Sequence, residues 1–198
     1  QTVNLPKTGL YEHVAIAGGG RVRQHIAQVL TRLGVNFVIA ESNYQRFMQC
    51  KTAYFPVIYG DISQHAVLEA AKIDHARLFL ITIPSIAVAQ PVVSSVHQIN
   101  TNLNIVARAE GEEQMKILYE SGVYMVVMAE LEAGLEIARQ AMLHLQIPMT
   151  AIQKYTDRVR QKSYSAIYQE NSDYHLLTQL KNAKELLESA KRKVETAI

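Results

Sequence analysis

His13-Val14-Ala15-Ile16-Ala17-Gly18-Gly19-Gly20-Arg21-Val22 is the stretch that decides the fold. An apolar run enters three glycines, and helical spacing starts straight after them. Val22, Ile26, Val29, Leu30 and Leu33 share one face, and Gly34 follows as a C-terminal glycine. Gly18 permits a tight turn. Gly20 carries no side chain, so a phosphate can approach the backbone there. The free N–H groups of the first helical turn then meet that phosphate. Phe37–Ala40 reads as a second strand, and Glu41 stands at its end. An acidic group at that distance from the turn can accept both ribose hydroxyls of an adenosine.

Working outward, the same alternation continues to Pro148. A short helix over Tyr44–Lys51 precedes a third strand, Val57–Tyr59. Gly60-Asp61-Ile62 follows it, and Ser63 is expected to cap a helix running to about Ala71. Arg77–Ile83 is a fourth strand, nearly all apolar, and a helix from Ala87 to Asn100 leads to a fifth, Asn104–Ala109. Glu112–Glu120 is helical, Val123–Met128 is a sixth strand, and Leu131–Leu145 is a helix. Strands alternating with helices imply a parallel sheet covered on both faces. The expected fold class is α/β, a Rossmann-like doubly wound parallel sheet of six strands with a C-terminal helical extension.

The expected domains are a linker over 1–12, a nucleotide-binding domain over 13–148 and helices over 149–198. Leu5-Pro6-Lys7-Thr8-Gly9 matches a sortase signal in letters but stands at the front of the chain, and reads as linker. Ala151–Gln169 has helical spacing. Beyond Asn171-Ser172-Asp173, the residues Leu176, Leu180, Ala183, Leu187, Ala190, Val194 and Ala197 form a heptad seam. It reads either as a helix packed on its own domain or as a self-association helix.

Composition narrows the function classes. The 198 residues are 48% hydrophobic and 19% charged, a composition that buries a core. The formal charge of +2 gives no field for nucleic acid. The single cysteine, Cys50, excludes a disulfide framework and a cysteine-based zinc site. The longest uncharged stretch, Leu78–Val96, contains Pro84 and Pro91 and reads as strand then helix, not as a membrane span. No apolar leader is visible at the front, and a start at Gln1 hints at a piece of a longer protein. The histidines form no metal-ligand pattern, and no tyrosine has a lysine four residues on, as a short-chain dehydrogenase would need. Cys50 reads as a core or surface thiol, and the expectation is no catalytic residue and no metal.

Gly18-x-Gly20-Arg21-Val22, Glu41, Tyr59-Gly60-Asp61, Ala107-Arg108-Ala109 and Glu130-Leu131-Glu132-Ala133-Gly134-Leu135-Glu136-Ile137-Ala138-Arg139 occur in that order. Together they resemble the N-terminal nucleotide-binding lobe of the regulator-of-potassium-conductance domains, also called TrkA-N. The set is most similar to the cytosolic domain of Kef-type cation/proton antiporters, over about His13 to Pro148. The resemblance implies a domain tethered by an N-terminal linker to a transmembrane antiporter in the same polypeptide, at the cytoplasmic face of the inner membrane. It implies binding of AMP, ADP, ATP or NAD(H), and a homodimer formed through the sheet's last helices. Gly18, Gly20, Arg21, Val22, Glu41, Asp61 and Arg108 take the family's ligand roles. Gly19, Ser42, Gly60, Ile62, Thr82 and Ile83 complete the candidate nucleotide-binding set, on the turns at the carboxyl edge of the sheet.

Three positions depart from the family pattern: Arg23 for the third glycine, Ala129 for a proline, and Gly122-Val123-Tyr124 for a small-acidic turn. An arginine at 23 is expected to point outward or to push the helix off the strand, and it favours a mononucleotide. No room is expected for a second, C-terminal ligand lobe. The expected function is a non-enzymatic nucleotide sensor that gates a potassium or sodium/proton antiporter or channel through dimer rearrangement. The alternatives are an NAD(P)-dependent oxidoreductase fragment and a scaffold dimer with an empty cleft.

Overall fold

The computed structural model describes residues 1–165 of the chain. By internal contacts the chain divides into Gln1–Ala138 and Arg139–Ile198. The first unit is built on one sheet of seven strands: β1 (Thr2–Val3), β2 (His13–Ala17), β3 (Phe37–Glu41), β4 (Val57–Tyr59), β5 (Ala76–Ile81), β6 (Asn104–Ala109) and β7 (Met125–Met128). Their spatial order is β1-β4-β3-β2-β5-β6-β7, and every pairing but the first is parallel. The parallel part is the doubly wound order, in which the chain winds first to one side of β2 and then to the other. The expected α/β class and strand sequence hold.

Helices α1 (Arg21–Arg32), α2 (Tyr44–Thr52), α3 (His65–Ala70), α4 (Ile86–Ile99) and α5 (Glu112–Glu120) fall between the parallel strands, and α6 (Ala129–His144) follows β7 directly. Val14, Ile16, Phe37, Ile39 and Val57 pack with Ala27 of α1 and with Phe47 and Cys50 of α2 in one core cluster. The alternate residues Ala15, Val38, Phe79 and Ile105 are buried as well. Successive strand residues point to opposite faces, so burial of both sets means that the central strands are covered on both sides.

The sheet has one strand more than the sequence pattern implies. Thr2 and Val3, in the segment read as linker, pair antiparallel with Ile58 and Val57. The Tyr59 N–H donates to the Gln1 carbonyl (2.8 Å), and Asn4 Nδ2 donates to the Lys51 carbonyl (3.1 Å). Two residues are too few to show a period, which is why this strand left no pattern. It covers an edge of the sheet that would otherwise expose unpaired backbone groups. Three boundaries also differ. β5 ends at Ile81, which leaves Thr82 and Ile83 in the turn beyond it. β7 begins at Met125, because Gly122 turns the chain with φ +95°. Ser63 does not cap α3: the helix starts at His65 behind Gln64, and Ser63 instead donates from Oγ to Asp61 Oδ1 (2.8 Å).

His13 opens β2 fully buried. Its Nε2 lies 2.8 Å from the Ala71 carbonyl, so Nε2 carries the proton and donates it, while Nδ1 is buried without a partner. Burial pushes the His13 pKa below the ordinary 6.5, and the nearby His75 adds to this. The bond to Ala71 and the charge of Asp74 oppose it. As pH falls through 6.5 the unfolded chain takes up a proton that folded His13 refuses, so stability is lost from there down to the folded-state pKa. Melting temperatures at pH 7.5 and 5.5 are expected to differ less in His13→Gln, which keeps an Nε2–H donor without a titration. An equal acid-induced drop in both proteins would contradict this.

In the second unit, α7 (Met149–Ser163) follows Pro148, and Ile152, Thr156 and Tyr164 are buried. The expected helix from Ala151 is therefore present to Ser163, and residues 166 to 169 of the expected span lie outside the described residues. The heptad seam from Leu176 to Ala197 lies outside the described residues. Among the described residues no helix is long and apolar enough to cross a membrane.

Candidate functional site

The turn between β2 and α1 sits where the winding direction reverses. Its three glycines answer to different neighbours. Gly18 has φ +113°, and a Cβ there would stand 2.7 Å from Thr82 Oγ1 and 2.8 Å from Ile83 Cγ1. Backbone and side chain of Thr82 both donate to the Ala17 carbonyl, at 2.9 and 3.1 Å. The ends of β2 and β5 are thus stitched together around Gly18. At Gly19 a Cβ would collide with Glu41 Oε2 and lie 2.6 Å from Arg46 Cδ. At Gly20, φ +93° and ψ −168° form a conformation that only glycine adopts readily, and a Cβ would meet nothing within 4 Å. The turn therefore leaves open space in front of Gly20.

Gly20 is also the N-cap of α1. No side chain caps this helix, and its first turn holds no acidic residue. The first N–H groups of a helix lack partners within it and carry the positive end of its dipole. Helix α5 fills the same need with Glu112 and Glu113. Helix α1 has Arg21 and Val22 there, both exposed, beside the open space at Gly20.

Glu41 closes β3, buried to 3% exposure. Its Oε1 accepts from the Asn43 N–H (2.8 Å), while Oε2 is buried without a partner. An unpartnered carboxylate oxygen against a glycine turn is a free acceptor held in place. Its backbone carbonyl accepts from the Gly60 N–H (3.0 Å), which joins the turn after β4 to the site. Asp61 is exposed, and its Oδ1 accepts from the Ser63 N–H (2.9 Å) and hydroxyl. Ile62 is buried, and Ser42 is exposed beside Glu41. The structure thus brings Gly18, Gly19, Gly20, Glu41, Gly60, Thr82 and Ile83 into one neighbourhood. Arg108 lies one strand beyond β5 and pairs with Glu110 at 3.0 Å.

Of the two expectations for Arg23, the structure contradicts the first, that it points outward. It is buried to 3% exposure, and its guanidinium donates through an Nη to Cys50 Sγ on α2. The long side chain spans the space between two helices, which a sequence rule written for a glycine at that position does not anticipate. Cys50 is accordingly a core thiol. Burial pushes its pKa up, the Arg23 charge opposes that rise, and the Glu41 charge adds to it.

Two contributors were not foreseen. Arg46, in the first turn of α2, lies against Gly19; the Asn43 cap that bonds its N–H (3.0 Å) was the available signal. Tyr44 and Tyr59 meet edge to face (6.0 Å) with Phe47 against Tyr59 (5.2 Å), next to the ends of β3 and β4. Aromatic residues 12 to 15 apart in sequence carry no periodic signal. Among the described residues no three His, Cys, Asp or Glu side chains cluster as a metal site would require.

A family model, the TrkA-N domain, matches residues 14–129. A protein of Alkalimonas amylolytica named for a K(+) efflux antiporter, KefB, is 25% identical over 167 residues, 84% of this chain and 25% of that protein. The chain thus spans between about a quarter and two fifths of the length of the curated relatives it matches. Among solved structures, the TrkA-N domain of the inner membrane protein ybaL from Escherichia coli superposes with a TM-score of 0.61 at 24% identity, covering 69% of this chain and 97% of that one. The Kef C-terminal domain of Shewanella denitrificans in its AMP-bound form gives 0.66 at 24% identity, covering 79% and 96%. These two likenesses show the shared fold.

Proposed function

Because this chain belongs to the TrkA-N domain family, we propose that its glycine turn and Glu41 hold an adenine nucleotide, and that it is the nucleotide-sensing regulatory domain of a membrane cation transporter. The observation that carries the reading is the pairing of two features on one turn. Open space stands before uncapped helix N–H groups at Gly20, and an unpartnered buried carboxylate oxygen stands at Gly19. The first fits a phosphate, and the second fits ribose hydroxyls. Gly18 to Val22 would hold the phosphate, Glu41 the ribose, and the turns at Ser42, Gly60–Ile62 and Thr82–Ile83 would border the base and sugar. Arg108 would stand by as a cation held by Glu110.

The candidate ligands are AMP, ADP, ATP and NAD(H). The AMP-bound Kef domain shares this fold, and so do the GsuK channel bound to NAD and GsuK bound to ADP. Arg23 in the interior brings a side chain where close helix approach serves a second phosphate, which favours a mononucleotide. The nucleotide supplies binding energy that differs between two arrangements of a homodimer, and that difference biases the attached pore. Ile137 of α6, 71% exposed, supports a partner surface on the sheet's last helix. The transporter is a potassium or sodium/proton antiporter or a channel, with this domain at the cytoplasmic face of the inner membrane in the same polypeptide.

No catalytic role is assigned. His13 and Cys50, whose titration burial displaces, lie in the core. Calorimetric titration with AMP, ADP, ATP and NADH is expected to give saturable binding of at least one, with no NADH consumption on addition of small carbonyl compounds. Turnover of NADH would favour an oxidoreductase. Absence of any binding, with a melting temperature unmoved by all four nucleotides, would leave a scaffold.

A further inference from the structure

Gly19 is glycine for a different reason from its neighbours. Gly18 and Gly20 both take positive φ, and Gly19 does not. What its missing side chain admits is a pair of opposite charges. A Cβ there would collide with Glu41 Oε2 and stand 2.6 Å from Arg46 Cδ and 2.9 Å from Arg46 Nη1. The acid ends β3 and the cation comes from the first turn of α2, so two elements bring them to one point beside the glycine turn. The pair does not close on itself. No ion pair joins the two side chains within 4 Å, and Oε2 is buried without a hydrogen-bond partner. Oε1 is taken by the Asn43 N–H (2.8 Å), and the Arg46 guanidinium has no hydrogen bond or ion pair among the described residues. Because Oε2 and Nη1 reach the same point, the gap between them lies between 4 and about 5 Å. A hydroxyl oxygen that accepts on one side and donates on the other spans about 4.5 Å.

We infer that Arg46 is a second ribose-binding residue: its Nη donates to the hydroxyl that donates to Glu41 Oε2, and Gly19 leaves the room for both. A hydroxyl does both jobs, whereas a phosphate oxygen only accepts and would meet the carboxylate's charge. Arg46 is exposed, and exposed side chains turn within nanoseconds, so it can rise from Oε2 as a sugar enters. The inference rests on the nucleotide reading and goes beyond it, because it gives the sugar a donor as well as an acceptor. A cation that served only to attract phosphate would act on every nucleotide alike, whatever its sugar.

The two roles separate by titrating AMP and 2′,3′-dideoxy-AMP against wild type, Arg46→Met, Glu41→Gln, the Arg46→Met/Glu41→Gln double variant and Gly19→Ala. Circular dichroism and melting confirm that each is folded. Gly19→Ala is a steric probe, since its methyl group meets only the ends of two flexible side chains. Wild type is expected to prefer AMP by about 10-fold or more, as charge-assisted hydrogen bonds to a hydroxyl would give. Arg46→Met and Gly19→Ala are each expected to bring that ratio to within about threefold through weaker AMP binding, with dideoxy-AMP affinity changed less than about threefold. In the Glu41→Gln background Arg46→Met is expected to change the ratio no further, because both residues serve one hydroxyl. Equal loss of both nucleotides in Arg46→Met, with the ratio kept, would make Arg46 a phosphate-attracting cation and overturn the inference. An Arg46→Met that binds both as wild type does would also overturn it, and so would a further fall of the ratio in the double variant. A wild type that binds both nucleotides equally would remove Glu41 from ribose recognition, and this inference with it, while leaving nucleotide binding in place. A wild type that binds neither would overturn the nucleotide reading itself.

Discussion

Gly20→Asp is expected to weaken binding of an adenine nucleotide by at least about 100-fold, roughly 2.7 kcal/mol. Two causes act together. A side chain at Gly20 is strained at φ +93° and ψ −168°, which opens the turn. The new carboxylate also occupies the open space in front of the α1 N-terminus and accepts the N–H groups that a phosphate would use. Gly20→Ala carries the strain without the charge. The two variants are expected to melt within a few degrees of each other, with the alanine variant losing much less affinity. Calorimetry on both, with AMP as the titrant, reads the difference. Affinity in Gly20→Asp within threefold of wild type would place the phosphate somewhere else.

Gly18→Ala is expected to act on stability first. The backbone sits at φ +113°, and the added Cβ meets Thr82 Oγ1 at 2.7 Å, Ile83 Cγ1 at 2.8 Å and the Ile83 backbone nitrogen at 3.1 Å. The backbone nitrogen cannot move without disturbing the Thr82 bonds that join β2 to β5. Strain and overpacking together are expected to cost about 2–4 kcal/mol. For a domain of this size that lowers the melting temperature by roughly 10 °C. Thermal unfolding followed by circular dichroism measures it. Gly20→Ala, which has open space, is expected to fall less. The opposite ranking would mean that the turn's rigidity lies at Gly20 and not at the β2–β5 junction.

Much of this architecture was legible from residue order alone, for a physical reason. Strands buried on both faces must be apolar throughout, so Val14–Ala17 and Phe79–Ile81 declare themselves without a period. Helices between them show an apolar stripe through spacing, but on α1 that stripe is not the buried side: Val22, Val29 and Leu33 are exposed, and Arg23 and Ala27 are buried. That the glycine turn and Glu41 are neighbours was legible because both stand at the carboxyl ends of adjacent parallel strands. The pairing of Thr2–Val3 with β4 was hidden, since a two-residue strand is specified by its partner and not by its own pattern. Arg23 was hidden for a different reason. Whether a long cation at a helix start faces water or the interior depends here on a thiol 27 positions away, which a local rule does not inspect. Arg46 was missed similarly, because its place beside Gly19 comes from the angle of α2 and not from spacing.

The claim on which the rest depends is that an anion seats on the N–H groups at the start of α1. Backbone amide chemical shifts of the isotopically labelled chain, followed as AMP is added, test it most directly. Saturable shifts are expected at Gly19, Gly20, Arg21 and Val22, with a second set at Glu41 and Gly60, and quiet amides across α5. Shifts gathered elsewhere on the sheet, or amides at Gly19 to Val22 that stay fixed while AMP saturates, would contradict it.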